Sequence, residues 1–184
     1  EICACLVGSE MCIRDRGVSV GKKDIMHESL RLMGAERIFW RVKMKPGMPT
    51  LFSAYKKTSD ITATDYCASE REIPIISLSG NPFGVAVSIE LLIRPALEKM
   101  MQDPSIGLKE VNGIMADNFE KGIKGRRFIR AYLENGKFHL PNGLHSNGVL
   151  SSMAGCNCLI DTKTMENQES RSLNAGDKVG AILL

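Results

Sequence analysis

With 184 residues, 43% hydrophobic and 24% charged, the chain has the make-up of ordinary globular protein and enough length for one large or two small domains. A net charge of +3 without a basic run argues against nucleic-acid binding, and no apolar run approaches the roughly 18 residues of a membrane span. Six cysteines, three of them within the first twelve residues, fit neither a disulfide framework nor a paired C-x2-C zinc pattern, so a reducing, cytoplasmic setting is expected.

Residues 1–16 follow neither a helical nor a strand period, and they lack the basic start and longer apolar middle of a signal peptide. They read as an artefactual segment outside the fold. At Gly17-Val18-Ser19-Val20-Gly21 the chain turns glycine-rich, and with Lys22 and Lys23 before a helix this loop can cradle a phosphate. The helix that follows places Met26, Leu30 and Met33 on one face and ends at Gly34 as its C-cap. Asp24 has two readings, a helix N-cap or a carboxylate for metal or phosphoryl chemistry.

Arg37 to Lys45 reads as a strand. Residues two apart then share a face, which groups Arg41, Lys43 and Lys45 on one side and Trp40, Val42 and Met44 on the other. Cations on one face repel unless solvent or an anion lies between them, and Pro46-Gly47-Met48-Pro49 forces an irregular crossing directly afterwards. A solvated edge strand with gatekeeping lysines is the plainer reading; the rigid loop favours an anion.

Thr50 to Tyr55 reads as a further strand, and Lys56 to Glu72 as a surface loop in which Cys67 has no visible partner. Ile73 to Leu78 is a short apolar run of the buried-strand kind. It ends in Ser79-Gly80-Asn81-Pro82, with Asn81 as N-cap, proline at the first helical position, and Gly80 allowing a ligand close to the backbone. Such a helix start welcomes anions. Val85, Ile89, Leu92, Ala96 and Met100 form the core stripe expected of the next helix, which Pro95 should kink.

From Gln102 onward short alternating runs take over. Phe128–Leu133 and Phe138–Leu140 flank the turn Glu134-Asn135-Gly136-Lys137, a hairpin signature, and strands are expected at Gly148–Met153, Asn157–Ile160 and Lys178–Leu183, the last entered through Ala175-Gly176-Asp177. Cys156 and Cys158 would share a strand face as small core hydrophobes. This is a small all-β domain, a barrel or a sandwich.

Four motifs, Gly17-Val18-Ser19-Val20-Gly21-Lys22-Lys23-Asp24, Met44-Lys45-Pro46-Gly47-Met48-Pro49, Leu78-Ser79-Gly80-Asn81-Pro82 and Arg94-Pro95-Ala96-Leu97, resemble in order and spacing those of the MoeA and gephyrin molybdopterin molybdenumtransferases. Ser151-Ser152 and Gly176-Asp177-Lys178-Val179 carry the similarity into that family's C-terminal β-domain, so it covers residues 17–184. The resemblance implies a three-layer, MogA-like α/β domain that binds molybdopterin over 17–102, then a β-barrel domain over 103–184. It implies insertion of molybdate into adenylylated molybdopterin with release of AMP, Mg2+ as cofactor, and a cytoplasmic homodimer in the full-length form.

Residue by residue, the family's metal-site aspartate matches Asp24, and its two basic residues near molybdate or the pterin phosphates match Arg41 and Lys45. Arg41 stands where lysine is often found, which keeps charge but changes donor geometry. Gly17, Ser19, Gly21, Pro46, Gly47, Gly80, Asn81 and Pro82 fall in its substrate-binding loops, the barrel arginine matches Arg130, and a barrel serine matches Asn147. Ser79 replaces the usual proline. The family's strand before the glycine loop has no match in Cys12–Gly17, and its two upstream domains are not in this chain, which therefore resembles a C-terminal half that is inactive by itself. A molybdopterin adenylyltransferase would resemble the first domain alone, so the attached β-domain and the Lys45-Pro46-Gly47 loop count against it; a gephyrin-like peptide-binding scaffold is the alternative of a different class.

Overall fold

The structure, a computed structural model, describes residues 12–14, 25–57, 71–123, 125–142, 150–162 and 171–184. Their contacts group the chain into two compact units, Glu1–Val42 with Pro49–Gly80 and Lys43–Met48 with Asn81–Leu184.

The first unit holds helix α1 (Met26–Leu32) and strands β1 (Cys12–Arg14), β2 (Glu36–Trp40), β3 (Leu51–Lys57) and β4 (Arg71–Ser77). The strands form one mixed sheet in the order β1-β4-β3-β2, with β1 parallel to β4 and the other pairs antiparallel. Ile75 and Ile76 are buried, and Leu78 just past the strand is fully so, as the apolar run demanded. Met26 and Leu30 of α1 pack with Leu51 and Ile75, flanked by Trp40 and Tyr55.

Three expectations are corrected in this unit. Cys12–Arg14 lie inside the fold: their backbone pairs with Ile75, Ile76 and Ser77, so the stretch lacking periodicity contributes a strand after all. A strand of three residues is too short to show a period. Met33, the C-cap residue of α1, is 56% exposed and does not join Met26 and Leu30 in the core. The strand through Arg37 stops at Trp40, since Arg41 adopts a left-handed φ of 73° that no strand accommodates. Arg41, Lys43 and Lys45 consequently share no strand face, although all three are exposed.

The second unit contains helix α2 (Pro82–Ser88), a π-helical turn over Ile89–Ile93, helix α3 (Arg94–Met101), and the strands β5 (Lys109–Met115), β6 (Phe119–Ile123), β7 (Phe128–Glu134), β8 (Lys137–His139), β9 (Cys158–Asp161), β10 (Arg171–Leu173) and β11 (Lys178–Leu183). Asn81 is extended and its Oδ1 accepts from the Gly84 N–H at 3.0 Å, with Pro82 in the first turn, which is the capping predicted. The stripe was misplaced. Phe83, Val87 and Ile93 are buried, whereas Ile89 and Met100 are about two-fifths exposed. The π-turn accounts for the later part of the error, since the wide turn shifts the phase of every residue beyond it. It also gives the Pro95 ring room where a regular turn would force it against the Leu91 carbonyl.

Strands β11-β5-β8-β7-β9 close a barrel, and β10 pairs with β6 as a separate ribbon. Met115, Phe119, Ile129, Phe138, Ile160 and Ala181 belong to one buried core cluster, in which each large side chain contributes on the order of 1.5 to 3 kcal/mol by burial. Asn135 and Gly136, both at positive φ, make the predicted two-residue turn between β7 and β8. Lys178–Leu183 forms as expected. Leu150–Met153 is a 3-10 turn rather than a strand, and Cys156 lies in the connection before β9, so only Cys158 is a buried strand residue.

Candidate functional site

In the first unit the site residues described are Arg41 and Gly80. The left-handed turn at Arg41 carries its guanidinium back over the Trp40 ring, 4.3 Å from the centroid, while its N–H donates to the Thr50 carbonyl at 2.8 Å. A left-handed φ costs an L-residue about 1 to 2 kcal/mol, and an exposed cation-π contact offsets about half of that or more. Trp40 is held from another side by His27, edge-on at 4.7 Å. Gly80 is exposed at the end of the connection from β4. A groove of about 300 Å³ lies between α1 and β2–β3, lined in part by His27, Arg31, Arg37 and Ser53, and none of the predicted site residues lines it.

The second unit brings together Lys45, Pro46, Gly47, Asn81, Pro82 and Arg130 through two elements, α2 and the start of β7. Gly47 lies on α2. Its φ is 98°, and a Cβ there would come within 2.7 Å of Met44 Cε and of Ser88 Oγ and 3.3 Å from the Gly84 carbonyl oxygen, so glycine is required by backbone and space alike. Met44 and Pro46 are buried on either side of the exposed Lys45, and the Lys45–Pro46 peptide is cis. Lys45 pairs in parallel with Arg127: its N–H donates to the Arg126 carbonyl at 3.0 Å, and its carbonyl accepts from the Phe128 N–H at 2.8 Å.

Arg130, 1% exposed on β7, stacks its guanidinium over the Phe83 ring of α2 at 4.4 Å. Burial pushes its pKa below the ordinary arginine value, with Cys156 acting the other way. The Cys156 thiol is pushed up by burial and drawn down by Arg130. Phe83 thus links the capped start of α2 to the barrel arginine.

Sequence reasoning missed the residues that hold this cluster. Arg126 donates through Nε and Nη2 to both carboxylate oxygens of Asp161, at 3.0 and 2.7 Å, and these bonds raise the guanidinium's pKa above its ordinary value. Arg127, half-buried, is pushed the opposite way by burial. The only signal for them was the basic pair Arg126-Arg127 itself, which resembles any solvated surface pair. Asp24, Gly17, Ser19, Gly21 and Asn147 lie outside the described residues, and among the described residues no three His, Cys, Asp or Glu side chains gather to hold a metal.

A family model described as "Probable molybdopterin binding domain" matches residues 7–99, and one described as "MoeA C-terminal region (domain IV)" matches residues 112–184. The first begins within the stretch expected to lie outside the fold. Among curated relatives, molybdopterin molybdenumtransferases of Staphylococcus aureus (strain Mu50) and Staphylococcus epidermidis (strain RP62A) are 27% and 25% identical over 177 residues. That is 95% of this chain, which spans 38% of the length of each. Among solved structures, the molybdopterin biosynthesis moea protein from Pyrococcus horikosii superposes with a TM-score of 0.68 at 16% identity, over 96% of this chain and 37% of that one. A molybdenum cofactor biosynthesis protein from Pyrococcus furiosus gives 0.55 at 19%, over 81% and 45%.

Proposed function

Since the chain belongs to the MoeA family of molybdopterin molybdenumtransferases, we propose that it forms the C-terminal part of an enzyme that inserts molybdate into adenylylated molybdopterin and releases AMP. The observation that carries this reading is the convergence of Lys45-Pro46-Gly47, Asn81-Pro82 and Arg130 on helix α2 and strand β7. These residues come from three distant parts of the sequence. Cations held by a fixed backbone are what charge neutralisation on molybdate and phosphate needs, since most of the stabilisation comes from groups that need not reorganise.

On the resemblance, Lys45 and Arg41 are assigned to the anionic groups, and Arg130, Gly17, Ser19, Gly21, Gly80 and Asn147 to substrate binding. Asp24 takes Mg2+, an assignment that rests on the resemblance. The full-length protein is proposed to be a cytoplasmic homodimer; no helix among the described residues is long and apolar enough to cross a membrane. The attached barrel favours this reading over an adenylyltransferase of the single-domain kind.

The test is Asp24→Asn in the full-length enzyme, assayed for AMP release with adenylylated molybdopterin, molybdate and magnesium. Release should stop while the melting temperature holds. Normal turnover with lowered stability would leave Asp24 a structural role only.

A further inference from the structure

Lys45 is exposed, and a lysine ammonium on a four-carbon stem is aimed only as well as the backbone that carries it. That backbone is fixed by one short rung, Lys45 against Arg126–Phe128. Arg126 and Arg127 lie just before β7 begins, where a strand end would ordinarily fray. Two buried polar residues at the far end of β9 prevent this. Thr162, 7% exposed, accepts from the Arg127 N–H through Oγ1 at 2.8 Å and donates from the same hydroxyl to the Arg127 carbonyl at 3.0 Å, while its own N–H reaches that carbonyl at 2.9 Å. Asp161, 9% exposed, holds Arg126 by both carboxylate oxygens. The ladder therefore runs from Thr162 to Arg127 to Lys45, with a side-chain hydroxyl supplementing the backbone pairing at its barrel end.

Buried polar groups at a strand terminus call for a reason, and the barrel core gives none, because an apolar pair would pack there without desolvation cost. We propose that Thr162 and Asp161 are positioning residues, Thr162 holding the Arg127 backbone and Asp161 the Arg126 side chain beside it, so that Lys45 points at its anionic ligand. This rests on the reading of Lys45 as an anion-binding residue. Neither residue is placed on the ligand: Thr162 acts on the main chain of Arg127, and Asp161 acts through the side chain of Arg126.

The experiment is an anaerobic fluorescence titration of molybdopterin into the chain and its variants, with thermal melts alongside. Lys45→Ala should weaken binding by about tenfold, as expected for losing one charged hydrogen-bonding partner. Thr162→Val, isosteric but without the hydroxyl, should weaken it by about fivefold, Thr162→Ser should restore wild-type affinity, and Thr162→Val should cost nothing further in the Lys45→Ala background. A merely structural threonine would weaken binding equally in both backgrounds, and that result overturns the proposal. So does a Thr162→Val variant that binds like wild type while Lys45→Ala binds weakly. If Lys45→Ala itself binds like wild type, or wild type does not bind, the reading of Lys45 falls and the proposal with it. Should Thr162→Val be recovered only unfolded, Asp161→Asn runs through the same cycle.

Discussion

Replacing Gly47 by alanine tests whether the loop after Lys45 is set by helix α2. The residue has a φ of 98°, outside even the left-handed pocket that L-residues visit, which costs about 1 to 2 kcal/mol. The new Cβ would meet Met44 Cε and Ser88 Oγ at 2.7 Å and the Gly84 carbonyl oxygen at 3.3 Å. The methionine tip and the hydroxyl can turn aside, but both are buried and the carbonyl belongs to the helix, so crowding adds about 1 kcal/mol or somewhat more. Gly47→Ala should therefore destabilise by about 2 to 3 kcal/mol, a fall of roughly 4 to 12 °C in melting temperature for a chain of this size. Gly136→Ala is the control, with positive φ but nothing within 4 Å of the added methyl, and it should cost only the backbone part, about 1 kcal/mol. Urea denaturation of both variants, read as the shift in midpoint at constant slope, measures the difference. Equal losses in the two would show that α2 does not crowd the loop, and a loss under about 0.5 kcal/mol at Gly47 would refute the reasoning altogether.

Asn81→Ala removes the acceptor for the Gly84 N–H and should cost about 1 kcal/mol in the same urea assay. Deleting residues 1–16 strips β1 from β4 and leaves the backbone of Ile75–Ser77 at an open edge, so differential scanning fluorimetry should show the melting temperature falling by several degrees. Burial pushes the Cys158 thiol up to about 12 from an ordinary 9.0. The folded chain then keeps its proton where the unfolded chain loses it, so the stabilisation present below pH 9.0 is lost progressively as pH rises toward about 12. At pH 8 iodoacetamide should spare Cys158 until the protein is unfolded, which peptide mass spectrometry resolves.

Local chemistry was legible wherever a side chain acts on its own backbone. Asn81 and Pro82 start a helix in any context, and Asn135-Gly136 turns a hairpin because few other residue pairs accept two positive φ values. Features decided by the tertiary fold were not legible. Arg41 breaks a strand that composition favoured, and the break is paid in part by a contact with the Trp40 ring that spacing cannot reveal. The π-turn before Pro95 rotated the helix stripe out of phase, an effect invisible to any count at fixed period. β5, β6 and β10 escaped notice because Lys109–Met115 and Phe119–Ile123 mix charge and glycine with their apolar residues, and β10 is only three residues long. Of the site, the family motifs named Lys45, Gly47 and Arg130 from sequence, whereas Asp161 and Thr162 matter through hydrogen bonds to residues thirty-five positions away.

The grouping of Lys43–Met48 with Asn81–Leu184 has a consequence for synthesis on the ribosome. Lys45 leaves the exit tunnel about eighty residues before Arg127, its backbone partner, which at the usual pace of elongation is an interval on the order of ten seconds. Throughout that time Met44 and Pro46, both buried in the finished protein, have no barrel strand to dock beside. A nascent chain stalled before Arg126 presents this apolar loop to whatever binds exposed hydrophobic segments, so the stretch carrying Lys45 is made early and fixed late.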